Sequence, residues 1–134
     1  ERAREVLAGF VGRIEQVPPA YSAVHVDGRR AYELARAGKA AQLRPRTVEI
    51  HAIELLAFEE GRLTVDVTCA GGTYIRALAR DVGAALGVGG YCARLKRTAV
   101  GPFTVEAAVA PEQLDPARDL LSPLKAVEHL PRLT

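Results

Sequence analysis

Apolar and polar residues alternate in two neighbouring segments of the chain, as they do in half-buried β-strands. Thr-Val-Glu-Ile at residues 47–50 opens the first strand, which we extend to residue 58, and Leu-Thr-Val-Asp-Val lies within the second, at residues 62–69. Both segments are rich in β-branched residues, which pack well on a pleated surface. Glu59, Glu60 and Gly61 lie between them, so the two strands are predicted to form a hairpin.

Three other segments have the pattern and end signals of helices. We place them at residues 2–10, 30–37 and 73–86. Gly38 and Gly87 follow the second and third helices, and glycine readily adopts the left-handed conformation that commonly ends a helix. Thr73 is a candidate N-cap of the third helix, because its hydroxyl can accept a bond from a free backbone N–H.

Prolines and glycines divide the rest of the chain. Residues 16–21 (QVPPAY) are predicted to form an extended loop, because consecutive prolines cannot enter a helix interior and bias their neighbours to extended conformations. Residues 21–26 alternate weakly, and the following Asp-Gly pair marks a turn. Two later elements are expected, a strand at residues 91–100 and a short helix near residues 124–130 in a proline-punctuated tail.

Composition restricts the class of protein. A chain of 134 residues with 49% hydrophobic and 25% charged residues fits one ordinary globular domain. No apolar run approaches the roughly 20 residues that span a bilayer, and the charged start is unlike a signal peptide. Cys69 and Cys92 have no CxxC partner, so we interpret them as reduced thiols of a cytoplasmic protein. No His or Cys pair has zinc-ligand spacing, and neither a metal nor a membrane partner is expected.

Basic residues are concentrated in two segments. Residues 21–46 hold six basic and two acidic side chains, and residues 76–97 hold five and one, although the whole chain carries only +2. This segregation suits a surface that binds a polyanion, because Lys and Arg near phosphates release counterions. Two solvated basic faces would have the same composition, so charge alone leaves both interpretations open.

The segment GGTYIR at residues 71–76 is the strongest candidate for chemistry. Its two glycines allow a sharp turn that a Cβ would resist. The turn brings Tyr74 and Arg76 to the point where the second strand passes into the third helix, which suits the edge of a site. Taken alone the signal is weak, because a Gly-Gly-Thr segment is usually only a turn and a helical arginine is usually solvated.

Four motifs follow one another in a fixed order. Residues 10–23 (FVGRIEQVPPAYSA) match F-x-G-x-I-x-Q-x-P-P-x-Y-S-A, and residues 27–38 (DGRRAYELARAG) match G-x-x-x-Y-x-x-A-R-x-G. Residues 72–83 (GTYIRALARDVG) match G-T-Y-I-R-x-L-x-x-D-x-G, and residues 94–101 (RLKRTAVG) match L-x-R-T-x-x-G. In this order the motifs resemble those of the TruB family of tRNA pseudouridine synthases, of the bacterial type, and the resemblance extends over about residues 10–130.

The resemblance implies an α+β fold with a mixed, mostly antiparallel sheet and flanking helices, part of a pseudouridine synthase catalytic domain. It also implies an isomerase that converts uridine 55 of the tRNA T-loop to pseudouridine, after flipping the base from its stack, without a cofactor. The expected partner is the T-arm stem-loop of tRNA. An aspartate is the essential carboxylate of the family, in the role of a nucleophile.

Three positions acquire catalytic roles from the resemblance. Arg76 would pair with the catalytic aspartate and keep it ionised and oriented. Tyr74 would line the pocket near the carboxylate or the base, and Leu95 would form an apolar wall. The alternatives are a solvated helix arginine, a half-buried core tyrosine and a core leucine.

Residues 17–46 resemble the RNA-gripping insertion of the family, the thumb. Cations there could contact phosphates, and aromatic residues could stack or hydrogen-bond at the RNA loop. The predicted RNA-binding residues are Tyr21, Ser22, His25, Arg29, Arg30, Tyr32, Arg36, Lys39, Lys96 and Arg97. Each cation could instead be solvated, and each aromatic could be a packing residue. His25 stands where the family commonly has lysine, so a phosphate contact there would be weaker and pH-dependent.

The motif that carries the catalytic aspartate of the family, G-x-L-D-P, lies upstream of the PPxYSA segment, as does a K-x-Y motif. Neither occurs before Pro18. Leu114, Asp115 and Pro116 imitate the catalytic triplet, but they follow the other motifs and lack the leading Gly-x. We therefore expect Asp115 to cap a turn rather than act as a nucleophile.

These observations lead to the expectation of a C-terminal half of a catalytic domain, with a tail at residues 110–134. Alone it should be inactive, and the missing N-terminal half of the same domain is an expected partner. The competing hypothesis is a non-catalytic RNA-binding module derived from that fold, which would need the basic segments but not Arg76. A structural domain without a nucleic-acid role would leave the four motifs as coincidences.

Overall fold

The computed structural model describes residues 1–26, 28–38 and 43–130. They fall into two compact units, residues 1–93 and residues 94–134, which are described separately. In chain order, the first unit contains α1 (Arg2–Ala8), β1 (Gly12–Gln16), β2 (His25–Val26), β3 (Arg29–Arg30), α2 (Ala31–Arg36), β4 (Arg46–Glu59), β5 (Arg62–Cys69) and α3 (Ile75–Leu86).

A three-stranded antiparallel sheet in the order β1-β4-β5 is the frame of the first unit. β5 has the predicted bounds, and β4 extends the predicted strand by one residue at each end. Glu60 and Gly61 connect them with φ values of 50° and 74°. Two left-handed residues in succession are typical of the two-residue turn whose twist matches a hairpin, so the predicted hairpin is confirmed.

β4 keeps its apolar side chains on one face although they do not alternate strictly along its length. The pairing of β4 with β5 shifts register after Ile50 and again after Leu55. Each shift inserts one residue and returns the next apolar side chain to the same face. Ile53 therefore lies opposite Val67, and Leu55 lies opposite Val65.

The helices α1 and α3 cover this apolar face of the sheet. Leu7 of α1, Ile50 of β4, and Leu78 and Val82 of α3 form one buried cluster. Burying a side chain of this size stabilises the fold by about 1.5–3 kcal/mol. The cluster thus fixes α3 against the sheet, and with it the turn from which α3 begins. Together with the sheet, these helices confirm the predicted α+β class.

α3 ends at Gly87, as predicted. Gly87 has a φ of 81°, its N–H donates to the Ala84 carbonyl, and the N–H of Val88 donates to the Gly83 carbonyl at 3.1 Å. These two bonds form a Schellman motif, which satisfies carbonyls that a helix end would otherwise leave free.

The chain then folds back across α3 with very little space. A Cβ placed on Gly83 would lie 2.3 Å from backbone atoms of Gly89 and Gly90. The N–H of Gly89 also donates to the Gly83 carbonyl, at 3.1 Å. Glycine at position 83 is therefore required by the close approach of two backbone segments.

The thumb-like segment is a short hairpin that leads into a helix. His25 and Val26 of β2 pair with Arg30 and Arg29 of β3, and α2 follows directly. The predicted second helix is thus confirmed over Ala31–Arg36. Gly28 of the predicted turn has a φ of 78°, whereas the Asp before it lies outside the described residues.

The second unit contains β6 (Ala99–Val100), β7 (Phe103–Thr104), a short helix α4 (Pro116–Asp119) and 3₁₀ turns at Val105–Ala107, Pro111–Gln113 and Pro123–Val127. The predicted strand at residues 91–100 is wrong except for its last two residues, which find a pairing partner in β7. The predicted helix near residues 124–130 is a 3₁₀ turn. Within the described ranges, no helix is long and apolar enough to cross a membrane.

Candidate functional site

The turn between β5 and α3 is closed by Thr73 and Gly72. The hydroxyl of Thr73 donates to the carbonyl of Ala70 at 2.9 Å, and Gly72 has a φ of 83°. The prediction that Thr73 caps α3 is wrong, because the N-cap position belongs to Tyr74. Thr73 bonds backwards into the turn, and another residue satisfies the N–H of Tyr74.

That residue is Gln16, at the end of β1. The Oε1 of Gln16 accepts a bond from the N–H of Tyr74 at 2.8 Å, and the Nε2 of Gln16 donates to the carbonyl of Tyr74 at 3.1 Å. The side chain is almost fully enclosed, with 1% of Gln16 exposed. Sequence analysis assigned Gln16 no role. Because Gln16 follows Ile14 by two residues, it lies on the same inward face of β1. A polar side chain buried there needs hydrogen-bond partners, and this was the signal in the sequence.

Replacing Gln16 by leucine should lower the free energy of unfolding by about 1–3 kcal/mol. Leucine fills a similar volume but leaves the N–H of Tyr74 without its partner, whereas the carbonyl of Tyr74 keeps the bond from the N–H of Leu78 at 3.0 Å. Urea unfolding followed by circular dichroism measures the change. Gln113→Leu is the matched control, because Gln113 is exposed in the second unit and should change stability by less than about 0.5 kcal/mol. Equal effects of the two substitutions would contradict the role of Gln16.

Arg76, in the first turn of α3, faces the extended segment that follows β1. Its Nη2 donates to the carbonyl of Tyr21 at 2.7 Å. A guanidinium has five N–H donors, so this bond leaves most of them free to hold a carboxylate in a bidentate pair. Arg76 is exposed but not simply solvated, because Tyr21 holds its orientation. Tyr74 is half-buried two residues earlier, at the N-cap of α3.

Arg80 lies one helical turn after Arg76 and contacts the same extended segment. Its Nη2 donates to the carbonyl of Val17 at 3.0 Å, and its Nε lies 2.7 Å from Oδ1 of Asp81. We name residues 17–21 the proline strap. Sequence analysis did not single out Arg80, although its spacing of four residues from Arg76 placed both on one face of the helix.

The predicted RNA-binding residues of the thumb include one organised cluster. The guanidinium of Arg36 lies 5.4 Å from the ring centroid of Tyr32, and that of Arg30 lies 6.0 Å from it. These are cation–π distances. Arg29 is exposed beside them, and Tyr21, on the proline strap, is 58% exposed. Tyr32 thus holds two cations, whereas the ring of Tyr21 is accessible.

The remaining predicted thumb contacts differ in accessibility. His25 is exposed. Ser22 is 5% exposed, and its buried hydroxyl has no hydrogen-bond partner among the described residues. The Ser22 carbonyl accepts the N–H of Tyr32 at 3.1 Å, and the RNA contact of Ser22 stays a prediction. Lys39 lies outside the described residues.

Leu95, Lys96 and Arg97 belong to the second unit and are exposed. Leu95 is 59% exposed, so the alternative of a core leucine is wrong. Its role as a pocket wall stays a prediction, as do the RNA contacts of the two cations.

Asp115 is a capping residue, as expected. Its Oδ1 accepts the N–H of Ala117 at 2.9 Å at the start of α4. Its own N–H donates to Oδ2 of Asp119. The Arg118 guanidinium and, to a smaller extent, this N–H lower the pKa of the Asp119 carboxyl. The side chain of Asp115 is therefore engaged in local structure.

A comparison with models of protein families shows which family the chain belongs to. A model described as TruB family pseudouridylate synthase (N terminal domain) matches residues 1–75. The chain belongs to the TruB family. A second model, described as the tRNA pseudouridylate synthase B C-terminal domain, matches residues 76–127 of this family member.

Individual relatives agree with this assignment. The TruB chain is 49% identical over 128 residues to tRNA pseudouridine synthase B of Bordetella pertussis strain Tohama I. The matched region covers 96% of the chain and 52% of the relative. It is 50% identical over 135 residues to the protein of the same name from Parasynechococcus marenigrum, covering 98% of the chain and 46% of the relative. The chain thus spans about half the length of the curated relatives it matches.

Among solved structures, the TruB chain is similar to a chain of a Cbf5-Nop10-Gar1 complex. The TM-score is 0.65 at 34% sequence identity, over 83% of this chain and 29% of the other. This similarity agrees with the α+β fold of the first unit.

Proposed function

We propose that this chain carries the RNA-gripping and active-site-supporting part of a tRNA pseudouridine synthase that isomerises uridine 55 in the tRNA T-loop. The observation that carries the proposal is the arrangement of Arg76. Its guanidinium stands at the start of α3, is oriented by the Tyr21 carbonyl, and has no second hydrogen-bond partner among the residues that the structure describes.

In this proposal Arg76 holds the catalytic aspartate, which other sequence of the enzyme supplies. A close guanidinium favours the ionised form of a carboxyl and so lowers its pKa, which keeps it available as a nucleophile. Bidentate pairing would also fix the plane of the carboxylate. The Tyr21 carbonyl and the aspartate would then both bond to the Arg76 guanidinium. The position of the proline strap would thus affect the position of the nucleophile.

Tyr74 is proposed to line the pocket of the flipped uridine. Its backbone is held on both sides by Gln16, so its ring starts from a fixed point at the edge of the turn. Tyr21 is proposed as the residue that stacks on or hydrogen-bonds to the RNA loop, because its ring is accessible. Leu95 remains the proposed apolar wall.

The segment at residues 17–46 is proposed to be the thumb that grips the T-arm. Tyr32 pre-orients the guanidinium groups of Arg30 and Arg36, and Arg29 stands beside them. Pre-oriented cations lose less side-chain freedom when they bind phosphate. Residues 110–134 are proposed to be a tail that takes no part in catalysis.

Binding to a tRNA T-arm hairpin and to a hairpin of equal length with a scrambled loop, at two salt concentrations, tests the proposal. We expect a preference for the T-arm that persists at the higher salt, because loop recognition does not depend on counterion release. Equal and steeply salt-dependent binding to both hairpins would contradict it.

Within the same titration, Arg36→Ala should reduce the slope of log affinity against log salt by about one unit, because one phosphate contact is lost. Arg4→Ala is the control, since Arg4 is an exposed arginine of α1 outside the thumb. Removing either arginine lowers the net charge equally. Identical slopes for the two variants would contradict a phosphate contact at Arg36.

A non-catalytic RNA-binding module is the second candidate function. It is favoured by the two cations that the Tyr32 ring holds and by the capping role of Asp115. A module of this kind would bind RNA through Arg29, Arg30 and Arg36 and would be indifferent to Arg76. The effect of Arg76 substitutions on isomerisation therefore separates the two candidates.

A further inference from the structure

The proline strap lacks the usual means of attachment. Pro18 and Pro19 have no backbone N–H, so they cannot donate to a neighbouring strand or helix. The strap is instead held through its carbonyls, at Val17 and at Tyr21. Both donors are arginines of α3, so the path of the strap depends on two side chains of one helix.

The two arginines hold the strap at its ends. Arg80 contacts Val17, the first residue of the strap, and Arg76 contacts Tyr21, the last. Residues four apart lie on the same helix face, about one turn from each other. The strap therefore runs antiparallel to α3 between two fixed points. It begins at the residue after Gln16, whose side chain bonds to the backbone of Tyr74.

The contact of Arg80 requires the shape of an arginine. Its Nε is occupied by Oδ1 of Asp81 at 2.7 Å, while its Nη2 donates to Val17 at 3.0 Å. The planar guanidinium presents both donors at a fixed angle, so the carboxylate of Asp81 orients the group toward the strap. Lysine has one nitrogen on a flexible stem and cannot reproduce this fork.

We propose that Arg80, oriented by Asp81, is a positioning residue of the site. It fixes the start of the proline strap so that Tyr21 presents its carbonyl to Arg76 and its ring to RNA. The proposal rests on the proposed function for its RNA consequence. The side chains of Arg80 and Asp81 are 44% and 28% exposed, and partly exposed ion pairs contribute little to stability. The effect of Arg80 is therefore expected in the order of the strap rather than in the stability of the fold.

The test compares Arg80→Ala and Arg80→Lys with Arg4→Ala and Arg4→Lys in the 134-residue chain. In the free protein, ¹⁵N relaxation gives the order parameters of the Ala20 and Tyr21 amides. We expect values near the rigid level of about 0.85 in the unaltered chain and in both Arg4 variants, and values below about 0.6 in both Arg80 variants. Thermal unfolding should shift by no more than a few degrees in any of them.

RNA binding supplies the second measurement. The ratio of affinities for the T-arm hairpin and the scrambled hairpin should fall about 10-fold in both Arg80 variants and stay unchanged in the Arg4 variants. Loss of the ratio in Arg80→Ala with full recovery in Arg80→Lys would overturn the proposal, because charge alone would then suffice. Unchanged order parameters in both Arg80 variants would also overturn it. If the unaltered chain shows no T-arm preference, the proposed function fails, whereas lower order parameters in the Arg80 variants would still support the positioning role.

Discussion

Alanine in place of Gly83 should lower the free energy of unfolding of the first unit by about 3 kcal/mol or more. The added Cβ would lie 2.3 Å from backbone atoms of Gly89 and Gly90. These atoms cannot withdraw without breaking the bonds that Val88 and Gly89 donate to the Gly83 carbonyl. The better helix propensity of alanine, about 1 kcal/mol, does not offset a clash of this size.

Thermal unfolding followed by circular dichroism measures this effect, and we expect a midpoint lower by more than about 10 °C. Gly71→Ala is the matched control, because a Cβ there meets no atom within 4 Å and the backbone is not left-handed. That variant should unfold within about 2 °C of the unaltered chain. An unaltered midpoint for Gly83→Ala would mean that the chain after α3 does not fold back on the helix as described.

The second large effect is expected on isomerisation. The assay uses a chimera of the Bordetella pertussis relative in which the 128 matched residues are replaced by those of this chain. Arg76→Ala in the chimera should lower the rate of pseudouridine formation by about 10²- to 10³-fold. Such a loss corresponds to about 3–4 kcal/mol of transition-state stabilisation, within the range for removing one member of a buried charge pair, which the proposed pair of Arg76 and the aspartate would become in the closed site.

Arg76→Lys should also lose most of the rate, because an ammonium cannot hold the Tyr21 carbonyl and a bidentate carboxylate together. Arg4→Ala in the same chimera is the control and should leave the rate unchanged. Hairpin affinity should fall by no more than about 10-fold in Arg76→Ala, through loss of the Tyr21 contact, which is less than the expected loss of rate. A chimera whose rate does not respond to Arg76 would contradict the catalytic role and favour the RNA-binding module.

The elements that could be predicted from the sequence are those with local causes. The hairpin of β4 and β5 follows from alternating apolar residues on both sides of Glu60 and Gly61, and the end of α3 follows from Gly87. The four motifs also led to the family and to Tyr74 and Arg76. In each case the residues that determine the structure are close together in the chain.

The parts that could not be predicted depend on partners distant in sequence. Gln16 satisfies the N–H of Tyr74 from 58 positions away, and this bond moved the start of α3 from Thr73. The contact of Arg80 with Val17 spans 63 positions. Likewise, residues 91–98 have suitable composition for a strand, but the strand is confined to Ala99–Val100, where β7 pairs with it. Propensity does not reveal whether a partner is present.

The most direct test of the central claim measures pseudouridine formation in full-length tRNA by the 134-residue chain alone and by the chimera, at equal concentrations. We predict activity in the chimera and none in the chain alone, because in the proposed function the nucleophile comes from other sequence of the enzyme. Activity of the chain alone that is lost in Asp115→Ala would contradict this account, and so would a folded chimera that binds tRNA without forming pseudouridine.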